Sequence, residues 1–180
     1  MPATPDPRPL TGEPLALDLL NSRWNNDGAP RDLLDGTDGL AVWLASNGLA
    51  RAYPADERTL LRLREARKAL AVAVDGPPER GAPLVDALLA HGRVRIRLTP
   101  EGPAEEPEFT DPSWGPAWLA ARNYLHLIAR APDRIRVCAH ESCVLRFFDT
   151  SRNGTRRWCS MAVCGNRAKA HRHYARTKEN

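Results

Sequence analysis

The sequence predicts an α+β protein: a mainly helical N-terminal domain with one short β-hairpin, then a small C-terminal module of β-hairpin and helix, treble-clef-like or ribbon-like. Three observations carry this. Apolar residues recur at helical spacing from about residue 37 to 130, interrupted by one stretch where the period falls to two. All four cysteines lie between 138 and 164. Charge is divided, since residues 134–180 hold 11 Lys/Arg against 3 Asp/Glu, whereas the preceding residues hold 15 against 19. With 180 residues, 42% of them hydrophobic, the chain suffices for one ordinary core plus a small second unit.

Residues 1–13 carry Pro2, Pro5, Pro7 and Pro9 and are expected to form a disordered lead. No stretch approaches the roughly 20 apolar residues of a membrane span, and the proline-rich start is unlike a secretion signal, so a cytoplasmic protein without a membrane partner is expected. The body covers 14–133. Its opening run, Leu15 to Leu20, fits either a helical turn or a strand, and 23–35 reads as a loop. Thr37 is a candidate N-cap for a short helix with Leu40, Trp43 and Leu44 on one face and Gly48 at its stop. Pro54 opens a longer helix with Leu60, Leu63, Arg67, Leu70 and Val74 in line. A third helix is predicted from Pro83 to His91. Val94, Ile96 and Leu98 then alternate with Arg93, Arg95 and Arg97, which predicts a half-buried strand, and Glu105 to Thr110 is a poor return strand broken by Pro107. Asp111-Pro112 starts a last helix with Trp114, Trp118, Ala121, Leu125 and Ile128 on one face.

The module, 134–180, carries the chemistry. Cys138 and Cys143 have four residues between them, fifteen follow, and Cys159 and Cys164 again have four between them. Two close pairs at this separation suit one tetrahedral Zn²⁺, and a reducing compartment favours metal ligation over disulfides. Four thiolates leave no coordination position for water, and no nucleophile, phosphate loop or carboxylate pair stands out, so an enzyme is not expected. Val144 to Phe148, an Asn153-Gly154 turn and Thr155 to Trp158 predict a β-hairpin between the pairs. A chelator or Cys143→Ser is expected to unfold the module before the body.

The segment Phe148-Asp-Thr-Ser-Arg-Asn-Gly-Thr-Arg-Arg-Trp-Cys-Ser-Met-Ala-Val-Cys-Gly-Asn-Arg-Ala-Lys resembles the CGNR zinc finger family, whose name stands in this chain as Cys164-Gly165-Asn166-Arg167. Such a finger typically follows a domain called ABATE, described as a candidate stress-induced transcription regulator, and Leu15-Ala-Leu-Asp-Leu-Leu-Asn-Ser resembles that domain's opening. The resemblance implies a bacterial DNA-binding regulator. The residues alone add the charge argument: counting four thiolates and Zn²⁺, the module's +8 falls to about +6, still a basic foot for a polyanion. Arg152, Arg156, Arg157, Arg167, Lys169, Arg172 and Arg176 are the candidate nucleic-acid contacts. Asn166 and Arg167 are equally candidates for supporting the zinc thiolates. Phe147, Phe148 and Trp158 read as an apolar plug over the metal, with base stacking as the alternative. Asp18 and Asn21 fit either a ligand-facing or a turn-capping role. DNA is the expected partner, with a small molecule or protein acting on the body; alternatives are a zinc-stapled protein-interaction module and an RNA-binding protein.

Overall fold

A computed structural model describes residues 5–26 and 28–169. The body is helical: α1 (Leu15–Leu20), α2 (Thr37–Ser46), α3 (Glu57–Asp75), α4 (Pro78–Leu89) and α5 (Gly115–Arg130). Helix α3 lies centrally, contacting α1, α2, α4 and α5. Its Leu60, Leu63, Ala66 and Leu70 are buried with Leu17, Leu40, Trp43 and Ala121 in one core.

Three antiparallel hairpins are attached to this frame. Strands β1 (Arg23–Asn26) and β2 (Ala29–Asp32) pair with Trp24 opposite Arg31. Strands β3 (Gly92–Thr99) and β4 (Gly102–Phe109) form a longer ribbon, and β5 (Ile135–Val137) pairs with β6 (Arg146–Phe148). Helical ends follow local chemistry. The Asp56 carboxylate accepts from Thr59 N–H at the start of α3. Gly48, at φ 71, ends α2 in the left-handed region that a side chain would disfavour.

Several expectations are revised. The run from Leu15 is helical, and 23–35 contains a hairpin rather than a bare loop. Helix α4 starts at Pro78, before the predicted Pro83, because a proline at the first helical position loses no internal hydrogen bond. The β3–β4 ribbon runs its full length through Pro103 and Pro107, and it is not half-buried: Ile96 is 77% and Leu98 86% exposed. Its other face carries a cross-strand ladder in which Arg93 and Arg95 meet Glu108 and Arg97 meets Glu106.

The lead is also ordered where it is described. Arg8 is buried, donating through Nη1 to the Asp18 carboxylate at 2.6 Å and to Asp18 O, through Nη2 to Asp6 and Ser46 Oγ, and through Nε to Asp6. Prolines removed helical options from this segment, but a fully satisfied guanidinium supplies the anchor that composition did not reveal. Burial opposes ionisation of Asp6, yet its hydrogen bonds from Arg8 outweigh this and hold the carboxyl below its ordinary range.

Candidate metal centre and nucleic-acid interface

The four cysteines sit on two supports. Cys138 and Cys143 flank the turn joining β5 to β6, closed by Cys138 N–H donating to Leu145 O and Cys143 N–H donating to His140 O, each at 2.9 Å. Cys159 and Cys164 bracket the start of a wide helical turn, Met161–Gly165, whose N-cap Ser160 accepts from Val163 N–H. Ala139 N–H donates to Arg157 O at 2.8 Å, tying the two supports together.

All four sulfurs lie within 4.8 Å of one another, with Cys143 to Cys159 at 3.8 Å and Cys159 to Cys164 at 3.6 Å. A tetrahedron with Zn–S bonds of about 2.3 Å has edges of about 3.8 Å, so the donor set fits Zn²⁺. Three of the cysteines are buried and Cys143 is half-buried, and all four are free thiols. Accepting a hydrogen bond from Cys159 holds the Cys143 thiol down at about 5, while donating that bond pushes Cys159 up and burial pushes Cys164 to about 12. A dication would hold four thiolates together, closing the site and supplying folding energy rather than chemistry.

The predicted hairpin between the cysteine pairs does not form. Strand β6 pairs backwards with β5, Ile135 opposite Phe148, and residues 155–158 join no ladder. The buried Asp149 carboxylate diverts the chain by accepting from Ser151 N–H at 2.9 Å and Arg156 N–H at 3.0 Å. Those bonds curl 149–156 into a loop where a two-stranded return was expected.

The plug residues instead join the body. Phe147 and Phe148 are buried in the same core as α1, while Trp158 is partly buried against it. Asn21 is fully buried and clamps β6 at both polar ends: its Nδ2 donates to Arg146 O at 2.7 Å, and Arg146 N–H donates to its Oδ1 at 2.8 Å. Phe148 N–H donates to Glu13 Oε2, Asn25 Nδ2 donates to Ser142 O, and the Arg146 guanidinium pairs with Asp75. Asp18 is committed to Arg8 and Asn47. Neither Asp18 nor Asn21 is left facing a ligand; one anchors the lead and the other anchors the module.

With this geometry in place, comparison with known families is decisive. Residues 13–131 match the ABATE family, described as "Putative stress-induced transcription regulator", and residues 134–177 match the CGNR zinc finger. The chain belongs to the ABATE family. Its ABATE domain thus precedes and packs against a CGNR finger holding one structural zinc through Cys138, Cys143, Cys159 and Cys164. No curated protein matches the chain. No helix among the described residues is long and apolar enough to cross a membrane.

The CGNR finger's cations divide by what holds them. Arg134 donates to Asp149 O and Ser151 O, and Arg136 donates to Gly154 O. Arg156, predicted as a nucleic-acid contact, is turned inward: Nε donates to Trp158 O, Nη2 to Cys159 O, and the guanidinium lies 4.2 Å from the Phe147 ring centre. It braces the second cysteine pair and is not a free charge. Arg152, Arg167 and Lys169 are exposed and hold no ion-pair or hydrogen-bond partner among the described residues, while Arg157 is exposed beside the Trp158 ring. Arg172 and Arg176 fall outside the described residues. Asn166 donates to Ala162 O, a helical contact rather than a thiolate contact.

Arg156→Ala should therefore destabilise the zinc-loaded protein in urea unfolding by about 1–3 kcal/mol, for the removal of charge-assisted bonds to carbonyls. The salt dependence of DNA binding should stay unchanged. Unchanged stability with a shallower salt dependence would return Arg156 to the binding set.

Between finger and ABATE domain lies a cleft of about 840 Å³. Its lining includes Trp24 and Arg31 of β1–β2, Pro7 and Pro9 of the lead, and His140, Val163 and Arg167 of the finger. The sequence reading missed this wall. Its signal was the Asp27-Gly28 dipeptide, a sequence favoured in two-residue hairpin turns, between an aromatic segment and a polar one.

Proposed function

We propose that this chain is a cytoplasmic transcription regulator whose CGNR finger binds DNA and whose ABATE domain receives a signal, from a small molecule or a protein, and passes it through their shared core. One observation carries the DNA-binding part. Within the finger, Arg134, Arg136, Arg146 and Arg156 serve the fold, whereas Arg152, Arg157, Arg167 and Lys169 are exposed to solvent on a small rigid scaffold. Unspent guanidinium groups on a braced frame suit phosphate and guanine recognition. The closed four-sulfur donor set supports a structural rather than catalytic role for zinc. The coupling is supported by Asn21 and Glu13, which bond the finger's β6 from inside the ABATE domain.

Removing one phosphate-binding side chain should flatten the dependence of log affinity on log salt by about 1. The triple variant Arg152→Ala, Arg157→Ala, Arg167→Ala should therefore reduce the slope by about 3 in fluorescence anisotropy with duplex DNA, at unchanged zinc content. A variant that binds duplex DNA with the parent's affinity and slope would overturn the proposal. So would tighter binding to single-stranded RNA that disappears on Trp158→Ala, which is the outcome expected of a stacking RNA reader.

A further inference from the structure

The same sorting of cations extends beyond the finger. Of the fourteen arginines that precede it, Arg8, Arg23, Arg58, Arg62, Arg67, Arg93, Arg95, Arg97 and Arg122 pair with carboxylates and Arg64 donates to Leu34 O. Arg31, Arg51, Arg80 and Arg130 are exposed and hold no such partner among the described residues. Of these four, Arg31 alone lines the cleft shared with the finger, where Arg167 also lies. A body that neutralises most of its arginines leaves one of its few unpaired ones beside the basic module.

The hairpin bearing Arg31 is also fixed relative to the finger. Asn25 Nδ2 donates to Ser142 O at 2.9 Å, in the turn between Cys138 and Cys143. At the hairpin's base, Arg67 donates to Asp32 at 2.6 and 2.7 Å, and Arg23 donates to the same carboxylate. These bonds outweigh the burial that opposes ionisation and hold the Asp32 carboxyl below its usual range. Asp32, although it lines the cleft, is thus already neutralised on one side by two guanidinium groups. Asp35 lines the cleft without an ion-pair partner among the described residues.

We infer that the β1–β2 hairpin is part of the nucleic-acid surface: Arg31 contacts a phosphate of the same duplex that the finger grips, with the backbone passing over the cleft mouth between Arg31 and Arg167. Asn26, exposed on the same hairpin and lining the same cleft, is placed to donate to a neighbouring phosphate or sugar oxygen. Asp35 opposes the approach. The ABATE domain then shares in the DNA contact itself, and a signal altering the hairpin alters affinity directly. This rests on the proposed DNA-binding function of the finger.

The test uses full-length, zinc-loaded protein and a short labelled duplex, with anisotropy measured across a salt series. Arg31→Ala should weaken binding several-fold at low salt and reduce the salt slope by about 1, as removal of a single phosphate-neutralising cation does. Asp35→Asn should strengthen binding. Arg51→Ala, another exposed cation of the ABATE domain but absent from the cleft lining, should leave the slope unchanged. If Arg31→Ala and Asp35→Asn both match the parent while the finger triple variant has a reduced slope, the inference falls and the finger's function stands. If Arg51→Ala matches Arg31→Ala, the effect is overall charge and the inference falls again. If the finger triple variant also binds like the parent, the functional reading itself fails.

Discussion

Cys159→Ser should abolish stoichiometric zinc binding and destabilise the whole chain, not the finger alone. Serine removes one thiolate from a donor set whose sulfurs already stand close to tetrahedral spacing, at 3.6 and 3.8 Å. Structural zinc contributes about 10–16 kcal/mol in isolated fingers, comparable to the full stability of a small domain. The consequence for the body follows from where the finger's apolar residues lie. Leu145, Phe147 and Phe148 are buried in the common core with Leu17 and Trp43, and at about 2 kcal/mol each they contribute roughly 6 kcal/mol that depends on β6 staying in place. Asn21 and Glu13 are deprived of their backbone partners on β6 if it departs, leaving buried polar groups unsatisfied.

The sequence expectation that the finger unfolds first, leaving the body intact, is therefore replaced by a coupled transition. Zinc content by metal analysis should fall from about one per chain to near zero. Thermal unfolding followed by fluorescence of the buried tryptophans, among them Trp43 deep in the body, should shift downward together with the far-ultraviolet signal. An apo protein whose tryptophan transition is unchanged would show that the finger is an independent unit.

How much of this was legible in the sequence depends on the kind of interaction that decides each part. The cysteine spacing, the α3 and α5 stripes and the β3 alternation are local periodicities, and they identify the metal site and most helices directly. The Asp27-Gly28 dipeptide is an equally local signal, so the pairing of β1 with β2 could have been found from it. Other features depend on distant partners. Pairing of β6 with β5 rather than with 155–158 is decided by the buried Asp149 carboxylate, whose two backbone donors become adjacent only once the loop closes. The roles of Asn21, Glu13 and Arg8 rest on contacts 125, 135 and 10 residues away. Arg156 illustrates the same limit within the finger, because a basic residue in a basic segment carries no mark of being aimed inward. The exposure of Ile96 and Leu98 was hidden too: alternation predicts two faces, but not whether anything covers the apolar one.

Arg8→Ala should destabilise the protein by about 3–5 kcal/mol, the usual effect of removing one partner of a buried ion pair. The Arg8 side chain is 0% and that of Asp18 1% exposed, so water cannot replace the missing guanidinium at the Asp18 carboxylate. Asn47 Nδ2, at 2.9 Å, would remain as the donor to Asp18 Oδ1, and a single amide offsets little of a buried negative charge. Asp6 and Ser46 would be left without their shared partner at the same time, freeing the lead from α1 and α2. A second variant separates a buried-charge effect from a packing defect. Arg8→Leu with Asp18→Leu removes both charges and fills the space with apolar volume, and it should recover most of the stability, because a buried pair replaced by well-packed apolar side chains is often neutral. Urea unfolding of the zinc-loaded proteins measures both. If Arg8→Ala changes stability by less than about 0.5 kcal/mol, the behaviour of an ordinary surface substitution, the lead is not anchored by this pair. If the double variant is no better than the single, the energy lies in the hydrogen-bond geometry to Asp6, Ser46 and Asp18 O rather than in compensation of a buried charge.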